Sequence, residues 1–416
     1  MATLNYNQIS PILETMYKEY TGRTTATNIP FATMQQVFKT GLEQQDDNLY
    51  QLVPTLLAKT VYGVRPYSRK LKGMVWNEQR YGNYMRKFTP IVEGSNVDND
   101  EWNINVELAK DATEQDWKAG TKPMKYDVLL TISAGGNTFA RKYTIFKNQL
   151  NAAFDSAEGV ASYFSMIMTE FSNIYEIDLE NCARAQLSNL VVALADAGGS
   201  RLNAAGAKQA KTTGNCLKAT QCFHALTQYN AETGLSMTAQ TIMNPQDFRP
   251  FMIWLSAEMT TLKDKLGYRG TLYHGDVTGK VVNRQTPESE MRIYLSSKFA
   301  NYFEANGAEM FHPDKATLGD FEKLAFWTDP QKPMSVVGSA TVLNANGKDE
   351  VAINSAYVNN IIGLMFDMNT CGLVPVDQWS AMEPFNARFG FRNGWNHYTF
   401  KSPVDFTENA ILILLD

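Results

Sequence analysis

Few residues in this chain have the types and spacing that chemistry needs. The nearest approach to a phosphate loop is GDVTGKV, Gly275 to Val281. A Walker loop places four residues between its glycines and a Ser or Thr after its lysine, so that backbone N–H groups wrap the phosphates and a hydroxyl reaches magnesium. Here only Asp276, Val277 and Thr278 separate the glycines, and Val281 follows Lys280. The loop is too tight and lacks the hydroxyl. Cys216, Cys222 and His224 cluster, but Cys-x5-Cys-x-His matches no zinc spacing. Small apolar residues in a packed helix are the simpler reading. The other histidines, His274, His312 and His397, are far apart. DNDEW, Asp98 to Trp102, opens like a calcium loop but has no glycine at the sixth position, which suits solvated charges at a loop tip. There is no G-x-S-x-G, and nothing singles out a Ser-His-Asp set. No catalytic, metal-ligating or cofactor-binding residue is nominated. The lack of such signals points to a structural protein, not an enzyme.

The strongest local signal is a reversal of charge. Residues 61–90 carry seven bases (Arg65, Arg69, Lys70, Lys72, Arg80, Arg86, Lys87) against Glu78, a net +6. Residues 91–118 carry eight acids (Glu93, Asp98, Asp100, Glu101, Glu107, Asp111, Glu114, Asp116) against Lys110 and Lys118, a net −6. The acidic part has too few apolar residues to build a core of its own. It reads as an extended loop or hairpin projecting from the body. Arg65, Arg69, Lys70 and Lys72, opposed to Asp98, Asp100, Glu101 and the adjacent Trp102, are candidates for contact between copies of the chain. Two solvated faces with no particular partner are the alternative.

The whole chain bounds these readings. Its 416 residues leave room for two or three domains, and 44% hydrophobic against 19% charged residues allow a sizeable core. A net charge of −5 and a pI near 5.6 argue against a surface built throughout to hold nucleic acid. The aromatic residues, 12% of the chain, suit cores and interfaces better than base stacking. No signal peptide and no stretch of 18 apolar residues is found, and four cysteines without a CxxC suit a reducing compartment. A soluble, cytoplasmic, globular protein is expected.

The elements follow from periodicity. Ile9 to Tyr20 and Met34 to Leu42 show apolar residues on one helical face, with a weaker third piece at Leu49 to Leu57. Each is too short to stand alone. Strands are expected at Val128–Ser133 and Thr138–Phe146, split by Gly135 and Gly136. Then comes one very long helix. Asp155 and Glu158 have capping-box spacing, Gly198 and Gly199 provide the stop, and no proline intervenes. A coiled coil is the first rival, but its seam dies at Asp178 and Asn181. A strand at Tyr175, Ile177 and Leu179, alternating with Glu176, Asp178 and Glu180, is the second, but no turn residues bound it. One helix is retained, with Ile177 as the point where a kink would fall. Its irregular apolar stripe suits a sheet better than one helical partner. A domain boundary is expected in the Ala/Gly/Lys/Thr-rich stretch after Gly199. Beyond it come a helix near Phe248–Leu266 and a hairpin at Val336–Leu343 and Val351–Ile353 turning through Asn346-Gly347 as type I′. The tail, NAILILLD, reads as a buried strand hosted by the sheet just before the long helix.

This order of elements resembles the major capsid protein of tailed bacteriophages, the Hong Kong 97 type of fold. NTFARKYTIFKNQLNAAFDSAEGVASYFSMIMTEFSNIYEIDLENCARAQLSNL is similar to the segment leading through the spine helix in small short-tailed phages, and NARFGFRNGWNHYTF with DFTENAILILLD is similar to their C-terminal strands. The resemblance implies an α+β chain with an N-terminal arm (1–80), an extended loop (81–125), a peripheral domain with the spine helix (126–205, completed by 376–416) and an axial domain (206–375). It implies a subunit that self-assembles through pentamers and hexamers into the icosahedral shell of a virion, in the host cytoplasm, around double-stranded DNA held without sequence-specific contacts. Portal and scaffolding proteins would be partners, the scaffold separate because no long N-terminal scaffolding segment is visible. No membrane is involved. No cross-linking pair of Lys and Asn is nominated. An encapsulin-like compartment shell, a cytoplasmic enzyme with an unrecognised site in 206–375, and a portal or tail component are the alternatives.

Overall fold

The computed structural model describes residues 6–22, 30–43, 67, 69–76, 84–91, 127–134, 136–147, 157–277, 282–302 and 321–416. The architecture is α+β. In chain order the main elements are α1 (Tyr6–Thr21), α2 (Phe31–Glu43), β1 (Tyr84–Ile91), β2 (Asp127–Ala134), β3 (Asn137–Phe146) and α3 (Ala157–Ala197). Next come β4 (Cys222–His224), α4 (Ala225–Thr233), α5 (Pro245–Gly267), β5 (Met291–Ser296), β6 (Glu322–Leu324), β7 (Val336–Leu343), β8 (Glu350–Val358) and β9 (Ile361–Asp367). The last are β10 (Val374–Met382), β11 (Phe391–Lys401) and β12 (Ala410–Leu414). The third helical piece expected at Leu49–Leu57 and the Asp155 cap lie outside the described residues.

The chain forms two compact units. The first spans Met1–Asn83, Ala134–Leu187 and Cys371–Pro403. In it α1 and α2 pack on each other: Phe38 lies edge-on to Tyr17, 6.3 Å between ring centroids. The unit's sheet has the order β10-β11-β3. The expected strands β2 and β3 are consecutive in sequence yet belong to different sheets, because β2 pairs with β1. Within this unit α3 lies on the β10-β11-β3 sheet, as its irregular stripe requires. Phe171 meets Tyr143 edge-on at 4.9 Å, and Tyr175 contacts Tyr398 and Phe400 at 5.4 and 5.7 Å.

The second unit spans Tyr84–Ser133, Ser188–Thr370 and Val404–Asp416. Its five-stranded sheet has the order β4-β12-β9-β5-β6. The apolar face of α5, Phe248, Phe251, Met252, Leu255, Met259, Leu262 and Leu266, follows helical spacing and packs with Ile293, Leu295, Ile362, Met365, Ile411 and Ile413. Residues 190–195 of α3 are buried on every side. The helix thus changes surroundings along its length, which is why no single apolar stripe describes it.

Helix α3 has 41 residues and runs unbroken through Tyr175–Leu179, so the strand reading of that stretch is overturned. Its end is a Schellman motif: Gly199 takes φ 70°, Ser200 N–H donates to Ala195 O at 2.9 Å and Gly199 N–H to Asp196 O at 3.2 Å.

Three further expectations are corrected. The tail strand β12 does not join the sheet that precedes the long helix. It lies inside the five-stranded sheet, antiparallel to β9 and parallel to β4, and β11 fills the place beside β3. All five residues of β12 are buried, so both faces need cover. The β10-β11-β3 sheet cannot supply it, since β3 is exposed along alternate residues. The β7–β8 hairpin forms, but its turn is not type I′. Gly347 takes φ 70° and donates to Asn344 O at 2.7 Å, while Asn346 keeps negative φ and its side chain accepts from Lys348 N–H at 2.9 Å. Finally, Cys222 is buried on a strand, not in a helix.

Candidate functional site

Among the described residues no group of three His, Cys, Asp or Glu is placed to hold a metal ion. His224 instead pairs with Asp416, Nδ1 to Oδ1 2.7 Å, beside the Ser200 hydroxyl, which donates to Asp416 Oδ2 at 3.0 Å. The hydrogen bond to that carboxylate, with a smaller contribution from Cys222, raises the imidazole to about 10. Ser200 and Asp416 both face the same ring nitrogen, so this is a structural clamp and not a nucleophile–base relay. No described helix is long and apolar enough to cross a membrane.

What the fold does present is surface. Strands β1 and β2 flank residues 92–126 and pair as a two-stranded ribbon. Because strand side chains alternate, Val128, Leu130 and Ile132 share one face of β2. They are 54%, 44% and 52% exposed, and Phe88 of β1 is 66% exposed. A two-stranded ribbon is marginal alone, and four large apolar side chains on it call for a covering surface.

The alternate residues of β1 anchor the ribbon. Lys87 Nζ reaches Asp405 Oδ2 at 2.9 Å and also bonds Glu408. Arg284 reaches the same Glu408 oxygen at 3.2 Å and donates to Thr407 and to Thr89 of β1. Burial pushes both acids up. At Asp405 the Lys87 charge and the Thr407 hydrogen bonds outweigh it, leaving that carboxyl below its ordinary range. At Glu408 burial wins over Lys87 and Arg284, leaving it above. In the sequence Lys87 is one base among seven, and nothing beside it points to these partners. The signal available was an acid pair, Asp405 and Glu408, directly before an apolar strand.

In the first unit, α3 carries three buried acids, each met by another side chain. Arg69 donates to both oxygens of Glu176, at 3.2 and 3.1 Å. Asp178 accepts from Arg141 Nε at 2.9 Å and from the Tyr398 hydroxyl. Glu180 accepts from Tyr67 at 2.9 Å and from Arg184 one turn on at 2.7 Å. Burial raises Glu180, but those two hydrogen bonds leave it net lowered. Of the candidate contact residues, Arg69 is therefore held inside the chain, Lys70 is exposed and Lys72 opens a short 3-10 turn. Arg65, Asp98, Asp100, Glu101 and Trp102 lie outside the described residues.

No family model matches the sequence, and no curated protein does. Solved structures do. A chain of the capsid structure of Staphylococcus phage Andhra matches at 13% identity and TM-score 0.50, covering 86% of this chain and 86% of that one. The fold is the Hong Kong 97 capsid type. A chain from the structure of the head fiber and inner core protein gp22 of native bacteriophage P68 matches at 11% identity and TM-score 0.50, covering 85% of this chain and 86% of its own.

Proposed function

We propose that this chain is the structural major capsid protein of a tailed phage, assembling with copies of itself into the icosahedral shell around a double-stranded DNA genome. The observation that carries the reading is the match of this fold to a phage capsid structure across 86% of both chains. The ribbon supports it: Val128, Leu130 and Ile132 on one face of β2, with exposed Phe88 on β1, offer apolar surface to a neighbouring copy. In this reading residues 1–80 are the arm, 81–125 the extended loop, 126–205 with 376–416 the peripheral domain and 206–375 the axial domain. A net charge of −5 suits a wall that confines DNA without gripping it. A separate scaffolding protein and a portal are the partners implied, and the site of action is the virion. The role is structural and involves no catalysis. Replacing Leu130 and Ile132 together by Asp tests it. Folded, soluble subunits that no longer form particles are expected, and particles at parental yield would remove the ribbon from assembly.

A further inference from the structure

The segment from Gly270 to Asp276 is strapped to the second unit at almost every residue. Gly270 and Arg284 exchange backbone hydrogen bonds at 2.9 Å. Lys218 Nζ donates to Thr271 O, and Thr220 Oγ1 donates to Leu272 O at 2.5 Å. Tyr273 O accepts from Gln221 Nε2 and from Ala410 N–H, both at 2.9 Å. Gly275 N–H donates to Phe406 O at 2.8 Å and Asp276 N–H to Cys216 O at 3.0 Å.

At the centre of this strap sits His274, with 0% of its surface exposed. Its Nδ1 lies 3.0 Å from Gly275 O, which fixes Nδ1 as the donor, and among the described residues its Nε2 has no hydrogen-bond partner. An imidazole so placed is accommodated only while neutral. A proton on Nε2 would be a buried donor without an acceptor, on a ring that now bears charge.

The surrounding charges make that proton still less welcome. Lys218, from the segment before β4, and Arg284, from the segment bridged to Gly270, act on the ring as positive charges. Asp276 acts against them but is itself paired to Lys218 at 2.8 Å, and Glu408 is engaged by Arg284 and Lys87. The Cys216 thiol beside the strap is held neutral by burial, pushed up to about 11.

We propose that Gly270–Asp276 is an acid-operated latch, which opens when a proton enters at His274 Nε2. Burial, reinforced by Lys218 and Arg284, holds the imidazole below its ordinary 6.5. The closed strap therefore binds fewer protons than the open one, and falling pH favours opening. Leu272, 56% exposed, rides on this stretch, so opening would displace it from where it now faces solvent.

Hydrogen exchange of the full-length protein, corrected for intrinsic rates, tests this on the peptide covering Tyr268–Val277. Protection of the strap should fall about tenfold per pH unit below about 6.5 until the folded value of His274 is reached. His274→Gln, which fits an amide in place of the ring and does not titrate, should hold its protection flat over the same range. A wild-type strap that stays protected down to about pH 4.5 overturns the latch, as does His274→Gln opening in step with wild type. If His274→Gln proves unfolded by circular dichroism, NMR titration of the wild-type His274 ring decides. Its midpoint should coincide with strap opening, and separate midpoints overturn the proposal.

Discussion

Arg69 and Glu176 lie 107 residues apart in sequence, yet the guanidinium holds both oxygens of the carboxylate at 3.2 and 3.1 Å. Both are withdrawn from solvent, with side-chain exposures of 12% and 3%. The pair ties the segment before β1 to the middle of α3, within one compact unit. It also removes Arg69 from the bases available to a neighbouring subunit.

Arg69→Met should cost about 3–5 kcal/mol, the usual penalty for leaving a buried carboxylate without its cation. Arg69→Met with Glu176→Leu should recover most of that, since an apolar pair replaces an ionic one. Urea denaturation of the parent, the two single variants and the double variant measures both figures. A single variant within about 0.5 kcal/mol of the parent, the range of an ordinary surface change, would show that the pair stabilises nothing.

The His224–Asp416 pair sets a pH dependence of defined sign. The folded imidazole titrates near 10, against an ordinary 6.5. A raised value means that the pair's contribution is complete below about pH 6.5 and fades as pH climbs towards about 10. His224→Asn should lack this loss. Thermal unfolding of both proteins between about pH 6 and 10 is the check; a wild-type and variant difference that stays constant across that window contradicts the pairing.

The charge reversal around the extended loop yields a compensation experiment, sharpened by the place of Arg69. We propose that the acidic loop of one subunit lies on the basic stretch of the next. Each exposed pair contributes only about 0–1 kcal/mol, but a shell repeats it many times. Asp98, Asp100 and Glu101 reversed to Lys should block assembly. Arg65, Lys70 and Lys72 reversed to Glu in the same chain should restore it in part, and Arg69 must be left alone because Glu176 needs it. High salt should weaken the contact, as the Debye length shrinks from about 10 Å at 0.1 M to about 3 Å at 1 M. Particle yield by sedimentation reads the result, and an acidic reversal that assembles like the parent leaves the charges merely solvated.

The long helix was legible because its signals are local: a glycine stop, no proline, and apolar residues without turn chemistry. The glycine stop appears as the Schellman motif at Gly199. The acids Glu176, Asp178 and Glu180 misled, since their alternation with Tyr175, Ile177 and Leu179 copies a strand. They are explained by Arg69, Arg141, Arg184, Tyr67 and Tyr398, of which all but Arg184 come from distant sequence. The host of β12 was illegible for a related reason. An apolar run announces that it will be buried, but the choice between two sheets rests on which one has cover for both faces. Counting charges likewise flagged residues 61–90 without separating Arg69 and Lys87, which are ion-paired inside the chain, from Lys70, which is exposed.

Copies of this chain should close into a shell. Electron microscopy of the full-length protein, purified alone and after co-expression with the genes beside its own, tests it most directly. Closed icosahedral particles are expected, alone or once a scaffolding partner is present. A protein that stays monomeric in both preparations, or that stops at one ring, would contradict it.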